Sequence, residues 1–193
     1  MRYGLSFLIL ATLGALAWFQ APSLSGPEAE TYDVDGVHSV VLFRITHFNL
    51  AAFHGRFNKV SGSFTVDEGA TGSVDITIDA DSVDTNNEKR DGHLKSPDFF
   101  NVKQFPEITF KSDSLERIDG NRYEAEGTLS LHGVSNPLKV QLERIGSGEG
   151  MGKHRTGFEA VFTIKRSEFG INYMPGALGD DVRLTVAIEG IRR

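Results

Sequence analysis

From Ser39 onward, apolar side chains recur at every second position in short runs separated by Gly-, Asn- and Asp-rich breaks, which is the signature of half-buried β-strands. Ser39, Val41, Phe43, Ile45 and His47 share one face of a first strand. Phe64 and Val66 form a shorter run, and Val74, Ile76 and Ile78 oppose Asp75, Thr77 and Asp79. Ile108 and Phe110 follow, then Tyr123, Ala125, Leu129 and Leu131 against Arg122, Glu124 and Glu126. Leu138 to Leu142, Phe158 to Ile164 and Val182 to Ile188 complete eight runs, each with one apolar face. One apolar face per strand fits an antiparallel sheet with one wet side. Eight such strands can close into a barrel whose interior is filled by side chains or by one small ligand. A two-sheet sandwich shares the pattern.

Two stretches break the period. Asn49 to Phe57 predicts a short helix or loop. Asn86 to Phe100 predicts a helix starting near Thr85 and ending before Pro97, an insert between the third and fourth strands. The insert leads into Asp98-Phe99-Phe100, and an aromatic-bearing insert on a β-barrel acts as a lid over an interior space. Asp119-Gly120 and Gly133 to Pro137 carry turn chemistry, and Gly146 to Gly152 predicts a flexible loop tip.

The first residues differ from the rest. Arg2 precedes an apolar run from Leu5 to Phe19, and Ala15-Leu16-Ala17 offers the small-x-small pattern of a signal-peptidase site. The segment 1–21 is expected to be a signal peptide, cleaved after Ala17 or Ala21, with an uncleaved anchor as the alternative. A linker of Pro, Ser, Gly and Glu (22–30) then leads into one domain, 31–193. The chain lacks Cys, so an exported product relies on its hydrophobic core rather than on disulfides. A net charge of −6 with mixed signs argues against nucleic acid. Fourteen Phe against one Trp and four Tyr favour wholly apolar surroundings, a core or a lipid-lined cavity.

Catalytic chemistry is poorly represented. There is no His-x-x-x-His or Gly-x-Ser-x-Gly, and Gly146 to Gly152 lacks the Lys-Ser/Thr of a phosphate loop. His38 and His47 differ in parity on one strand, which would point them to opposite faces. No metal and no enzyme is expected. Arg90 either anchors the insert through an ion pair or lines the cavity mouth to meet a polar head group.

The ordered motifs resemble the YceI-like family of exported bacterial lipid-binding proteins. They run from Tyr32-Asp33-Val34-Asp35-Gly36-Val37-His38-Ser39 through Ser61-Gly62-Ser63-Phe64, Ser82-Val83-Asp84-Thr85 and Arg90-Asp91-Gly92-His93-Leu94. Asp98-Phe99-Phe100, Gly127 to Val134 and Arg166-Ser167-Glu168-Phe169-Gly170 follow in order. The resemblance implies an all-β, eight-stranded antiparallel, lipocalin-like barrel that holds a polyisoprenoid or similar long-chain amphiphile in the periplasm. It implies no cofactor beyond that lipid, a tendency to pair as a homodimer, and room for transient membrane contact. Phe43, Ile45, Phe64, Phe99, Phe100 and Phe110 would line the interior, with His47 and Arg90 at its polar end. The other readings open at this stage are an enzyme acting on a lipid head group through His47 with Arg90 or Asp91, and a barrel packed solid.

Overall fold

The computed structural model describes residues 29–66 and 71–193, so the expected signal peptide and most of the linker lie outside the described residues. Eleven strands form one antiparallel sheet: β1 (Glu30–Val34), β2 (Val40–His47), β3 (Ala51–Phe57), β4 (Val60–Val66), β5 (Thr71–Asp79), β6 (Val83–Asp84), β7 (Glu107–Asp119), β8 (Arg122–Leu131), β9 (Val134–Gly150), β10 (Lys153–Lys165) and β11 (Asp181–Arg192). Among the described residues a single α-helix, α1 (Glu88–Leu94), lies between β6 and β7.

The eleven pieces make eight staves. β1 pairs with β4 and β2 with β3, while β1 and β2 both pair with β11. β5 and β6 likewise flank β4 and β3. The consecutive segments β1 and β2, β3 and β4, and β5 and β6 therefore each form one long strand bent in the middle, and the bends stack: Asn58 N donates to Ser82 O at 3.1 Å and Asp79 N to Lys59 O at 3.1 Å. β11 returns to β1 with Tyr32 opposite Arg192 and Val34 opposite Gly190, which closes the barrel and removes the sheet edge. The expected eight-stranded antiparallel barrel is the observed one, and the sandwich alternative falls with that closure.

The bend at residues 35–39 is held by polar contacts. Val37 N donates to Asp35 Oδ1 at 3.0 Å, and Arg155 Nη1 reaches Asp35 Oδ2 at 2.8 Å and also Glu189. The Arg155 guanidinium, with His38 next, holds the Asp35 carboxyl well below the ordinary carboxylate range. His38 lies in this bend rather than on β2, so strand parity did not govern it. It gathers with Asp35 and Glu189 closely enough to suggest a metal. Arg155 already neutralises both carboxylates, which makes the cluster an ion-pair network.

Three sequence expectations are corrected. Asn49 to Phe57 is neither helix nor loop: Ala51–Phe57 is the hairpin partner of β2 from His47–Ala51 to Val41–Phe57. Its inward positions are Phe53, Gly55 and Phe57, and the missing side chain at Gly55 hides the alternation. That glycine is required, because a Cβ there would lie 2.2 Å from the Phe43 ring. Gly146 to Gly150 belongs to β9, and the turn is only Met151–Gly152, both left-handed. Glycine weakens a strand but does not interrupt its ladder, and this stretch pairs with β10. The turn assigned to Gly133–Pro137 shrinks to His132–Gly133, with Pro137 inside β9. The β9–β10 ladder ends at Ala160–Leu142, so the Pro137 nitrogen has no strand to bond on that side.

One end of the barrel is plugged. Tyr32 stacks on Phe64 at 5.2 Å, and Phe64 and Tyr123 both meet Phe158 edge-on, at 5.6 and 5.3 Å. Burial pushes the Tyr32 hydroxyl up to about 12, so it stays neutral and donates to Glu30. Gly190 lets this plug meet the closing seam, since a Cβ there would sit 2.4 Å from Phe64 and 2.9 Å from Tyr32. Replacing Gly190 with Ala is expected to lower stability by about 1–3 kcal/mol, the usual cost of overpacking. In urea unfolding this reads as a lower midpoint with an unchanged slope.

Candidate functional site

Between the plug and the helical insert the barrel is hollow, with a cavity of about 620 Å³. Its wall comes from the inward rows the alternation predicts: Val41, Phe43 and Ile45 on β2, Val74, Ile76 and Ile78 on β5, Leu138, Val140 and Leu142 on β9, and Val182 to Ile188 on β11. The space falls within the range of small-molecule pockets, and the packed-solid alternative is not what the interior looks like. Toward the insert, β9 and β10 run without main-chain pairing past Ala160–Leu142, which widens the barrel there.

The insert covers this wide end. Asn87, rather than Thr85, caps α1 by accepting from Arg90 N at 3.0 Å, and the helix ends at Leu94. A compact turn follows, with Phe100 N on Leu94 O at 2.9 Å and Val102 N on Lys95 O at 3.1 Å. This self-bonded loop presents Phe99 and Phe100 inward. Phe99 is buried and meets Tyr173 and His93 edge-on, and Phe100 meets Phe57 at 5.4 Å.

All eight residues singled out from the sequence, Phe43, Ile45, His47, Phe64, Arg90, Phe99, Phe100 and Phe110, border the cavity. They do not share one level. Phe64 belongs to the plug at the closed end, whereas His47 and Arg90 stand at the covered end. Arg90 both anchors the start of the insert and borders the cavity, though not through an ion pair. Its Nε donates to Thr85 Oγ1 at 2.7 Å and an Nη to Thr85 O at 2.6 Å, while its guanidinium lies 4.1 Å from the centre of the Phe53 ring. Asp91 accepts from Thr85 N at 2.9 Å and from the Thr85 hydroxyl. Thr85 thus organises the Arg90–Asp91 pair and leaves Arg90 at the cavity without a carboxylate partner among the described residues.

Sequence reasoning missed Arg166, Phe53, His93 and Tyr173. Arg166 is buried at the cavity wall, and its contacts are all backbone carbonyls: Gly179 at 2.9 Å, Ile171 at 2.8 Å, Tyr173 at 2.9 Å and Leu178 at 3.2 Å. Burial lowers its pKa, opposed by the charge of nearby Asp180. One arginine therefore pins the whole 171–179 loop across the mouth. The available signal was the Arg166-Ser167-Glu168-Phe169-Gly170 motif, which names the residue but not its carbonyl partners. Phe53 was lost with β3.

Most of the polar side chains bordering the cavity, His47, Arg90, His93, Arg166 and Tyr173, gather at this end; Thr109 on β7 and Glu159 on β10 also border it. His93 is turned toward Asp98, 2.8 Å away. The arrangement suits a molecule with a long apolar body and one polar end.

The YceI-like domain matches residues 32–190. The chain is 39% identical over 165 residues to a UPF0312 protein of Pectobacterium atrosepticum, covering 84% of this chain and 85% of that one. It is 38% identical over 192 residues to a UPF0312 protein of Pseudomonas aeruginosa, covering 96% and 100%. Among solved structures, BcnA of Burkholderia cenocepacia superposes with a TM-score of 0.74 at 25% identity, covering 81% of this chain and 98% of BcnA. A polyisoprenoid binding domain from Saccharophagus degradans shares the fold, with a TM-score of 0.64 at 16% identity over 84% and 98% of the two chains. By its motifs, its barrel and these matches, the chain belongs to the YceI-like family.

Proposed function

We propose that this protein is an exported, periplasmic binding or carrier protein for a polyisoprenoid or similar long-chain amphiphile, held tail-inward with its polar end at the covered mouth. The observation that carries this reading is the cavity of about 620 Å³, walled mainly by aliphatic and aromatic side chains, with its polar side chains gathered mostly at one end. At the ~30 Å³ that one water occupies in the liquid, that volume accommodates about twenty methylene-sized groups. Burying them yields ~16 kcal/mol gross at ~0.8 kcal/mol each, so a tight complex survives the cost of ordering the chain. The polyisoprenoid-binding neighbour supports the ligand class, and the apolar N-terminal run supports export.

Arg90 and His47 are the head-group contacts in this reading. Arg90 is held by Thr85 and Phe53 and has no paired carboxylate among the described residues, so an oxygen-rich or anionic head suits it. The enzyme alternative acts through His47 with Arg90 or Asp91. Asp91 accepts two bonds from Thr85 and Arg90 donates two to it, so both are already engaged, which favours a binding role.

Organic extraction of protein exported in its native host, followed by mass spectrometry, should recover a long-chain amphiphile at near one per barrel. Repeated recovery of nothing apolar, together with no uptake of added isoprenoid, would contradict the reading.

The two lid aromatics should separate. Phe99→Ala removes a buried ring and is expected to cost about 3–5 kcal/mol in thermal unfolding of delipidated protein. Phe100→Ala, at a half-buried position, should destabilise less while weakening retention of a bound isoprenoid in a titration. A Phe100→Ala protein that binds like the parent would remove Phe100 from the site.

A further inference from the structure

The rim of the cavity carries apolar side chains that face solvent. Phe48 and Leu50, at the tip of the β2–β3 hairpin, are 51% and 88% exposed, and Tyr173 and Met174 on the neighbouring loop are 37% and 38% exposed. The two segments are joined: Phe48 N donates to Ala177 O at 2.6 Å and Gly179 N to Thr46 O at 2.9 Å. Tyr173 and Met174 also line the cavity, so the outer patch is continuous with the inner wall. Phe48 and Met174 have left-handed backbones, with φ of 51° and 50°. Asn or Gly takes that conformation at far lower cost than a bulky side chain, and strain of this kind collects at functional positions.

A second observation lies on the outer face just below the hairpin tip. Arg44 stands directly opposite Arg183 on β11, and His54 stands opposite Arg44 on β3. All three are exposed. Like charges directly opposite one another weaken a sheet, and here they occur in a chain of net charge −6. Among the described residues, neither Arg44 nor Arg183 has a carboxylate within ion-pair distance, unlike their neighbours Arg56 and Lys165.

We propose that this rim is a docking surface for a bilayer containing anionic phospholipid. Arg44 is four residues from Phe48, roughly 13 Å along the strand, or about 10 Å along the barrel axis once strand tilt is counted. Apolar faces that rest in a membrane interface sink about 5–10 Å toward the acyl boundary. With Phe48 and Leu50 at that depth, Arg44 and Arg183 stand level with the phosphates. The plugged end is a poorer candidate: Met151 and Ile145 are exposed there, but neither borders the cavity, as Tyr173 and Met174 do at the mouth, and Glu149 stands two residues from Met151. The purpose of docking rests on the carrier reading, since a mouth set against the bilayer lets the ligand enter without crossing water.

The test uses delipidated protein and vesicles of phosphatidylglycerol with phosphatidylethanolamine, compared with phosphatidylcholine alone. The protein should sediment with the anionic vesicles, bind the neutral ones less, and be largely released at about 1 M salt, where the Debye length is ~3 Å. The double variant Phe48→Asn with Leu50→Asn should lose roughly tenfold or more in vesicle affinity. Asn tolerates the backbone at position 48, so the unfolding midpoint should hold or rise. Arg44→Thr with Arg183→Thr should abolish the preference for anionic vesicles. The proposal is overturned if the parent ignores vesicles, or if the well-folded Phe48/Leu50 variant binds them as the parent does. It is also overturned if analytical ultracentrifugation finds a dimer that the same variant dissociates, since the patch would then belong to a second copy. Ligand recovery is scored separately. A recovered lipid without docking sinks this inference alone, and docking without any recovered lipid sinks the carrier reading alone.

Discussion

Closure of the sheet is the constraint on which everything else depends. The main-chain pairing of Tyr32–Val34 with Gly190–Arg192 joins the last stave to the first, and with it the inward row of every strand becomes one continuous wall. A closed barrel has no edge to protect, so its outer face can be polar and its inner face wholly apolar. The close contacts at Gly190 and Gly55 follow from the same demand, because aromatic rings from neighbouring staves cross the backbone at those points.

An interior of this width cannot be filled by the residues that line it. At the closed end the rings pack around Phe158, with Phe64 and Tyr123 each against it and Tyr32 stacked on Phe64. Farther along, Val, Ile, Leu and Phe side chains line the cavity of about 620 Å³. Wall atoms facing a void lose dispersion contacts outright, so a hollow apolar barrel is better stabilised full than empty. In the proposed reading the polar mouth sets the direction of the ligand. Arg90 and Arg166 are both cations held by oxygen atoms or an aromatic face rather than by carboxylates, which leaves positive potential where a head group would sit.

Much of this was visible in the sequence, because one-sided burial writes a period of two into each strand. Phe43 and Ile45 on β2, or Phe110 on β7, face inward for that reason and were identifiable as lining residues. β3 was not identifiable, since Gly55 occupies an inward position and erases the pattern locally. The Gly146–Gly150 extension of β9 was missed on similar grounds: composition suggested a loop, while the ladder with β10 decided otherwise. Arg166 was beyond reach in a different way. Its role is set by carbonyls of residues 171–179, and no side-chain pattern announces a backbone acceptor. Arg90 could be named but not placed, because its partners, Thr85 and Phe53, come from separate elements brought together by the barrel.

The central claim is that the cavity holds an amphiphile tail-inward with its polar end beside Arg90 and His47. The most direct measurement is a crystal structure of the protein purified from its native cell envelope without detergent extraction. The account predicts continuous elongated density from the Phe158 plug to the mouth, ending in a polar group within hydrogen-bond distance of Arg90 or His47. An interior filled by ordered water, or closed by rotation of Phe99 and Phe100 into the space, would contradict it.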